Sequence, residues 1–230
     1  MSTRNEEAAM KAQPTEAQLP EAQPLGMLLV ISGPAGVGKD TVWRAASVCL
    51  PGFAKAITCT TRPRRCGEED GAHYFFVSDE EFDRLIHEDQ LIEWAHVHNA
   101  RYGVPAAQVL ERLAQGLDVV CVIDVQGARR IKALFPQALL VFLKPPAGRE
   151  TDVLAHRMAG RGTTDDQEVA RRLDSAAREM AQTDFYDYKI VNDEVSQAAQ
   201  QLCEIVTQAR TVRAQQAQAG ARQTDARAAH

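Results

Sequence analysis

The run SGPAGVGKDTVW, residues 32–43, carries the spacing G-x-x-x-x-G-K. Its glycines let backbone N–H groups turn toward one point. A helix starting near Lys39 adds the positive end of its dipole, and Lys39 adds a full charge. Gly33, Pro34, Ala35, Gly36, Val37, Gly38 and Lys39 therefore form a cradle for a di- or triphosphate, with Asp40 and Thr41 next in line. Asp40 stands where such loops carry Ser or Thr. That hydroxyl ligates Mg²⁺; a carboxylate can do the same through a harder oxygen, while adding negative charge beside the phosphates. Asp40 is the expected metal ligand, and Thr41, about 100° further round the helix, is the alternative hydroxyl. The plainer reading is that Asp40 complements the helix dipole.

Three further groups narrow the substrate. The stretch TTRPRRCGEEDGAHY, residues 60–74, sets Arg62, Arg64 and Arg65 beside Gly67 and ends on Tyr74. Guanidinium forks and phenol hydroxyls suit the two charges of a monophosphate. Two acids then stand in apolar runs: Glu93 in LIEWA and Asp124 in VVCVIDVQG. A carboxylate in such surroundings needs partners. Guanine offers two adjacent donors, its ring N–H and its exocyclic amine, and adenine has no matching edge; a salt bridge to one of the arginines is the competing role for each acid. Last, Arg157, Arg161 and Arg172 lie about a helical pair, where cations can close over a transferring phosphoryl group and a lid can exclude water. Ordinary amphipathic helices with solvated arginines are the alternative.

The elements that must position these residues alternate. Apolar runs at 27–32, 118–124 and 138–144 read as buried parallel strands, and 188–192 as the last strand of the set. Helices are expected over 40–50, 105–116, 126–135, 149–159, 167–182 and 195–213. Pro105 stands at the first position of its helix, and Ser78 and Glu81 form a capping box for another helix over 78–88. Short strands at 56–60, 73–77 and 91–97 break the rhythm, so 59–104 reads as an inserted β-rich subdomain. The whole is a three-layer α/β fold with a mostly parallel sheet.

Composition bounds the reading. With 230 residues, one domain with a small insertion is the expected size. A net charge of −5 argues against a general nucleic-acid binder. No apolar run is long enough to span a membrane, and the N-terminus lacks the pattern of a secretory signal. The five cysteines are scattered without a C-x-x-C, and read as reduced thiols of a cytoplasmic protein. Residues 1–24 and 214–230 are rich in Ala and Gln and poor in large apolar groups, and read as tails, the first disordered.

From about Met27 to about Arg210 the chain resembles the guanylate kinases, nucleoside monophosphate kinases of the P-loop superfamily. The resemblance is carried by SGPAGVGK, TTRPRRCGEEDGAHYFFV, IEWAHVHNARYG, IDVQGARRIK, RMAGRG and IVND, in that order. It implies a P-loop fold over 25–213 with a GMP-binding subdomain over 59–104 and a helical lid over 147–182. The activity it implies is ATP-dependent phosphorylation of GMP, and of dGMP, with Mg²⁺ accompanying ATP. It also implies roles for single residues. Lys39 and the loop would hold the ATP phosphates, and Asn192 would lie near the adenine. Arg62, Arg65, Tyr74 and Tyr102 would hold the GMP phosphate. Glu93 and Asp124 would read the guanine donors, and Thr58 replaces a usual serine while keeping the hydroxyl. Arg157, Arg161 and Arg172 would be the lid cations; Arg64 receives no role. Val104 departs from a usual Ser or Thr that donates to the guanine carbonyl. Substrates ATP and GMP are the implied partners, without nucleic acid or membrane, and self-association stays open. The alternatives are a kinase of another phosphorylated small molecule, such as a ribose bisphosphate, and a non-catalytic binding module of the same fold.

Overall fold

Alternate residues of three strands divide between two apolar layers. In β1 (Leu28–Ser32), Leu29 and Ile31 face one side while Leu28 and Val30 face the other. The same division runs through β7 (Asp118–Val122) and β8 (Leu139–Lys144). A strand buried on both faces must be covered twice, so helices lie on both sides. The computed structural model describes residues 26–97, 99–159 and 166–228 of the chain. The segment 1–24, read as a tail, and the candidate lid residue Arg161 lie outside them.

The main sheet has the order β2-β7-β1-β8-β9, with β2 at Phe53–Lys55 and β9 at Tyr188–Val191, and all its neighbours are parallel. On one face pack α1 (Lys39–Ala46), α5 (Glu150–Ala159) and α7 (Val195–Ala228), through residues such as Val42, Leu154 and Leu202. On the other pack α3 (Ala106–Ala114) and α4 (Val125–Leu134), through Val109, Leu113 and Ile131. The fold is three-layer α/β.

A second sheet, β4-β3-β6-β5, lies wholly within Cys59–Pro105. Its strands are β3 (Cys59–Thr60), β4 (Phe75–Phe76), β5 (Leu91–Val97) and β6 (Ala100–Pro105). Helix α2 (Asp79–His87) caps it, begun by the Ser78 hydroxyl accepting from the Glu81 N–H, and Phe82 fills a small separate core with Cys59 and Leu91. The remaining helix, α6 (Asp166–Met180), follows α5.

Several boundaries differ from the sequence reading. The strand expected at 56–60 is a splice between two sheets. Lys55 ends β2 of the main sheet, Cys59 begins β3 of the second, and the Gln108 side chain clasps both backbone groups of Ile57 between them at 3.0 Å. Strands β2 and β6 were not anticipated, because three residues show no period and ARYGVP shows no apolar alternation. Helix α1 stops at Ala46, short of the expected Leu50. The last helix continues beyond Arg213 to Ala228, since the Ala, Gln and Arg of that run are strong helix formers.

The cysteine reading also needs correction. Cys49, after α1, and Cys203, in α7, are joined by a disulfide with Cα atoms 6.4 Å apart; Cys59, Cys66 and Cys121 are free. A separation of 154 residues hid this pair from any spacing rule. Cys203→Ser is expected to lower the thermal midpoint by about 5 °C without reductant, a modest share of the usual worth of a disulfide. Dithiothreitol should bring the parent to the same midpoint. A parent midpoint indifferent to reductant would show the sulfurs unbonded in solution.

Candidate active site

The phosphate loop joins β1 to α1. Its turn needs glycine: Gly33, Gly36 and Gly38 have φ of 146°, 81° and 98°, in the region that L side chains avoid. Gly38, at the N-cap of α1, has no side chain with which to cap the helix. That leaves a helix N-terminus suited to an anion. Lys39 Nζ donates to the carbonyls of Gly33, at 2.6 Å, and Pro34, at 3.3 Å, which holds the ammonium over the loop. Val37 is fully buried, its N–H donating to Pro34 O at 3.2 Å and its carbonyl bonded as well.

That carbonyl is gripped from behind. Asn192, 1% exposed, donates from Nδ2 to Val37 O at 2.7 Å, and Arg157 donates from Nη1 to the same oxygen at 3.0 Å. Arg157 Nη2 reaches Asn192 O at 3.2 Å. Two residues singled out as an adenine neighbour and a lid cation thus brace the underside of the loop.

Loop and second sheet face each other across a cleft of about 1390 Å³. Ala35, Gly36, Lys39, Asp40 and Arg172 line one part of it. Thr58, Arg62, Arg65, Tyr74 and Tyr102 line the middle, and Glu93 and Asp124 another part. Thr41 is exposed on α1 and is not among the lining residues. Val104 is fully buried in the apolar layer beneath α3, opposite Glu93 in the β5–β6 ladder.

Arg62 is held on every side. Its Nη2 and Nη1 bind both oxygens of Glu68, at 2.8 and 3.0 Å, and its Nε donates to Tyr102 Oη at 3.2 Å. The guanidinium lies 5.3 Å from the centre of the Tyr74 ring. Glu68 also accepts from the Arg65 N–H at 2.8 Å. Burial works against the charge of Glu68, yet these bonds and charges bring its carboxyl below the ordinary range. The sequence reading missed Glu68 as the residue that aims Arg62; the one available signal was its place directly after Gly67. Tyr74 ties this cluster to the loop, since burial first, and then the charge of Asp40, raises its phenol.

Glu93, in the first half of β5, and Asp124, at the start of α4, lie near each other. Asp124 caps α4, accepting from the Gly127 N–H at 2.8 Å. Glu93 is 5% exposed, and its Oε2 has no hydrogen-bond partner. Burial first, then the charge of Asp124, lifts its carboxyl to about 8, against the pull of Arg130. Burial also raises Asp124, opposed by the Gly127 N–H, Lys39, the Gln126 N–H and Arg130. The glycine at 127 is required: a Cβ there would stand 2.5 Å from Glu93 Oε2. A buried acid with an unsatisfied oxygen, beside a half-buried one, offers acceptors to a ligand that carries donors.

Among the described residues, no group of three or more His, Cys, Asp or Glu could cage a metal ion, and no helix is long and apolar enough to cross a membrane. Asp40 offers a hard oxygen at the cleft, which fits Mg²⁺ provided that phosphate and water supply most of the other ligands.

Residues 26–209 match the family model described as guanylate kinase. The guanylate kinase of Gloeobacter violaceus is 46% identical over 181 residues, spanning 79% of this chain and 87% of that relative. That of Symbiobacterium thermophilum is 44% identical over 193 residues, spanning 83% and 90%. Among solved structures, the guanylate kinase from Anaplasma phagocytophilum superposes with a TM-score of 0.65 at 30% identity, covering 80% of this chain and 86% of that one.

Proposed function

The chain belongs to the guanylate kinase family, and on that premise we propose how its cleft moves the γ-phosphoryl group of ATP to the phosphate of GMP. ATP lies against the loop, with its phosphates on the first-turn N–H groups of α1 and on Lys39. The GMP phosphate meets Arg62, Arg65, Tyr74 and Tyr102. The guanine turns its ring N–H and exocyclic amine to Glu93 and Asp124. Thr58 adds a hydroxyl, and with Val104 buried the guanine carbonyl takes its donor from backbone or water. No residue in this scheme depends on the ribose 2′-hydroxyl, so dGMP is included as a substrate.

A GMP phosphate oxygen attacks the γ-phosphorus, the bond to the β-bridging oxygen breaks, and ADP leaves. No enzyme-bound intermediate is needed; catalysis is alignment and charge stabilisation. Arg172 and Arg157 supply cation near the loop, and Arg161 lies outside the described residues. Asp40 is the residue that would hold Mg²⁺, which would supply positive charge to offset that of the phosphates.

The observation that carries this reading is the unpartnered Oε2 of buried Glu93 at a wall of the same cleft that holds the phosphate loop. A kinase of ribose bisphosphates has no use for paired acids there. The test is a coupled assay of ADP formation with ATP against GMP, dGMP, AMP, UMP, CMP and ribose 1,5-bisphosphate. GMP and dGMP should react and AMP hardly at all, since its bare ring nitrogen faces an acceptor. Turnover of ribose 1,5-bisphosphate in preference to GMP would overturn the assignment.

Gly127→Ala gives an independent check. The added methyl must push the Glu93 carboxylate aside, and a misplacement of that size is expected to raise KM for GMP ~10- to 100-fold. KM for ATP should stay within twofold, which steady-state kinetics with each substrate varied would establish.

A further inference from the structure

Lys55 ends the edge strand β2 at the splice into the second sheet and turns toward the cleft. Its Nζ lies 2.7 Å from Asp40 Oδ1. The two side chains are 34% and 47% exposed, so neither is the fully solvated charge usual on an edge strand. Neither composition nor motif points to Lys55, which stands 15 residues from its partner. Asp40 is the one position at which this loop departs from G-x-x-x-x-G-K-[ST], and the departure puts a negative charge next to a site for a polyanion. A hydroxyl in its place would need no counter-charge. The carboxylate does, and β2 delivers one.

We propose that Lys55 is a positioning residue for phosphoryl transfer: it holds the Asp40 carboxylate and offsets its charge, so that the loop can accept a nucleoside triphosphate. This rests on the reading of the loop as the ATP site. Without Lys55, Asp40 repels the phosphates of metal-free ATP and attracts a divalent cation more strongly. The two effects have opposite signs, which separates them from a general loss of structure.

The experiment is equilibrium binding of ATP in EDTA, followed by titration of the ATP-bound protein with Mn²⁺ detected by electron paramagnetic resonance. Lys55→Met is expected to weaken metal-free ATP binding ~10-fold and to tighten Mn²⁺ several-fold, in line with the loss of one positive charge a few ångströms away in a partly solvated cleft. Lys55→Arg, which keeps the charge, should stay within about twofold of the parent, as expected where charge and not shape is at work. In an Asp40→Ser background the Lys55→Met effect should fall below about twofold, because the charge to be offset is gone. An equal effect in both backgrounds, or unchanged ATP and Mn²⁺ affinities in Lys55→Met, would overturn the proposal while leaving the loop assignment intact. Absence of ATP binding by the parent would overturn the loop assignment and the proposal together.

Discussion

Glu93→Gln is expected to lower kcat/KM for GMP by about two to three orders of magnitude, equivalent to about 3–4 kcal/mol at a buried charged hydrogen bond. Glutamine keeps the size but turns an amide donor toward a guanine donor, in a place largely shut off from solvent: Glu93 is 5% exposed. KM for ATP should barely move. The pH dependence sharpens the test. Burial, and then Asp124, lifts Glu93 to about 8, so the free protein holds it mostly protonated at neutrality. Guanine needs the ionised form as its acceptor. Hence kcat/KM for GMP should rise with pH, ~10-fold per unit at most, and level off above about 8. In Glu93→Gln that rise should vanish. The sign for folding is opposite. A carboxyl whose folded pKa is raised stabilises the fold in its protonated form, fully below about 4.5, and this contribution is lost as pH rises through about 8. If Glu93→Gln phosphorylated GMP as well as the parent, Glu93 would be a structural acid and the guanine pocket would lie elsewhere.

Lys39→Met is expected to lower kcat ~10²- to 10³-fold, the usual cost of removing one preorganised group that meets charge developing in the transition state. The fold should survive, because the ammonium donates to two loop carbonyls, Gly33 O and Pro34 O, and Val37 stays anchored by Asn192 and Arg157. Single-turnover phosphorylation of GMP, beside an unchanged thermal midpoint, checks both statements. A fall in kcat/KM matched only by a rise in KM for ATP would make Lys39 a ground-state binder.

The phosphate loop was legible because its physics is local. Glycines at fixed spacing, a preceding apolar strand and a following helix all act within a dozen residues. The same holds for the Ser78 cap and for β5, whose bounds match the expected 91–97. Asp124 was marked as a buried acid, but its second role, capping α4, required knowing where that helix begins. Short strands escaped for the opposite reason. Phe53–Lys55 is a strand because β7 lies beside it, and three residues carry no period of their own.

The chain by itself determined the order of the longer helices and buried strands, the anion cradle and the two acids in apolar runs, since each follows from propensity, pattern or the cost of burying charge over a short run. Only the tertiary structure decided which distant groups meet. It set Lys55 against Asp40, Glu68 behind Arg62, Arg157 and Asn192 under the loop, Gly127 beneath Glu93, and Cys49 beside Cys203. Apart from the Arg62–Glu68 fork, these meetings join different elements, and their geometry is set by how sheet and helices pack. Pairing and packing are non-local, and no window along the sequence contains both partners.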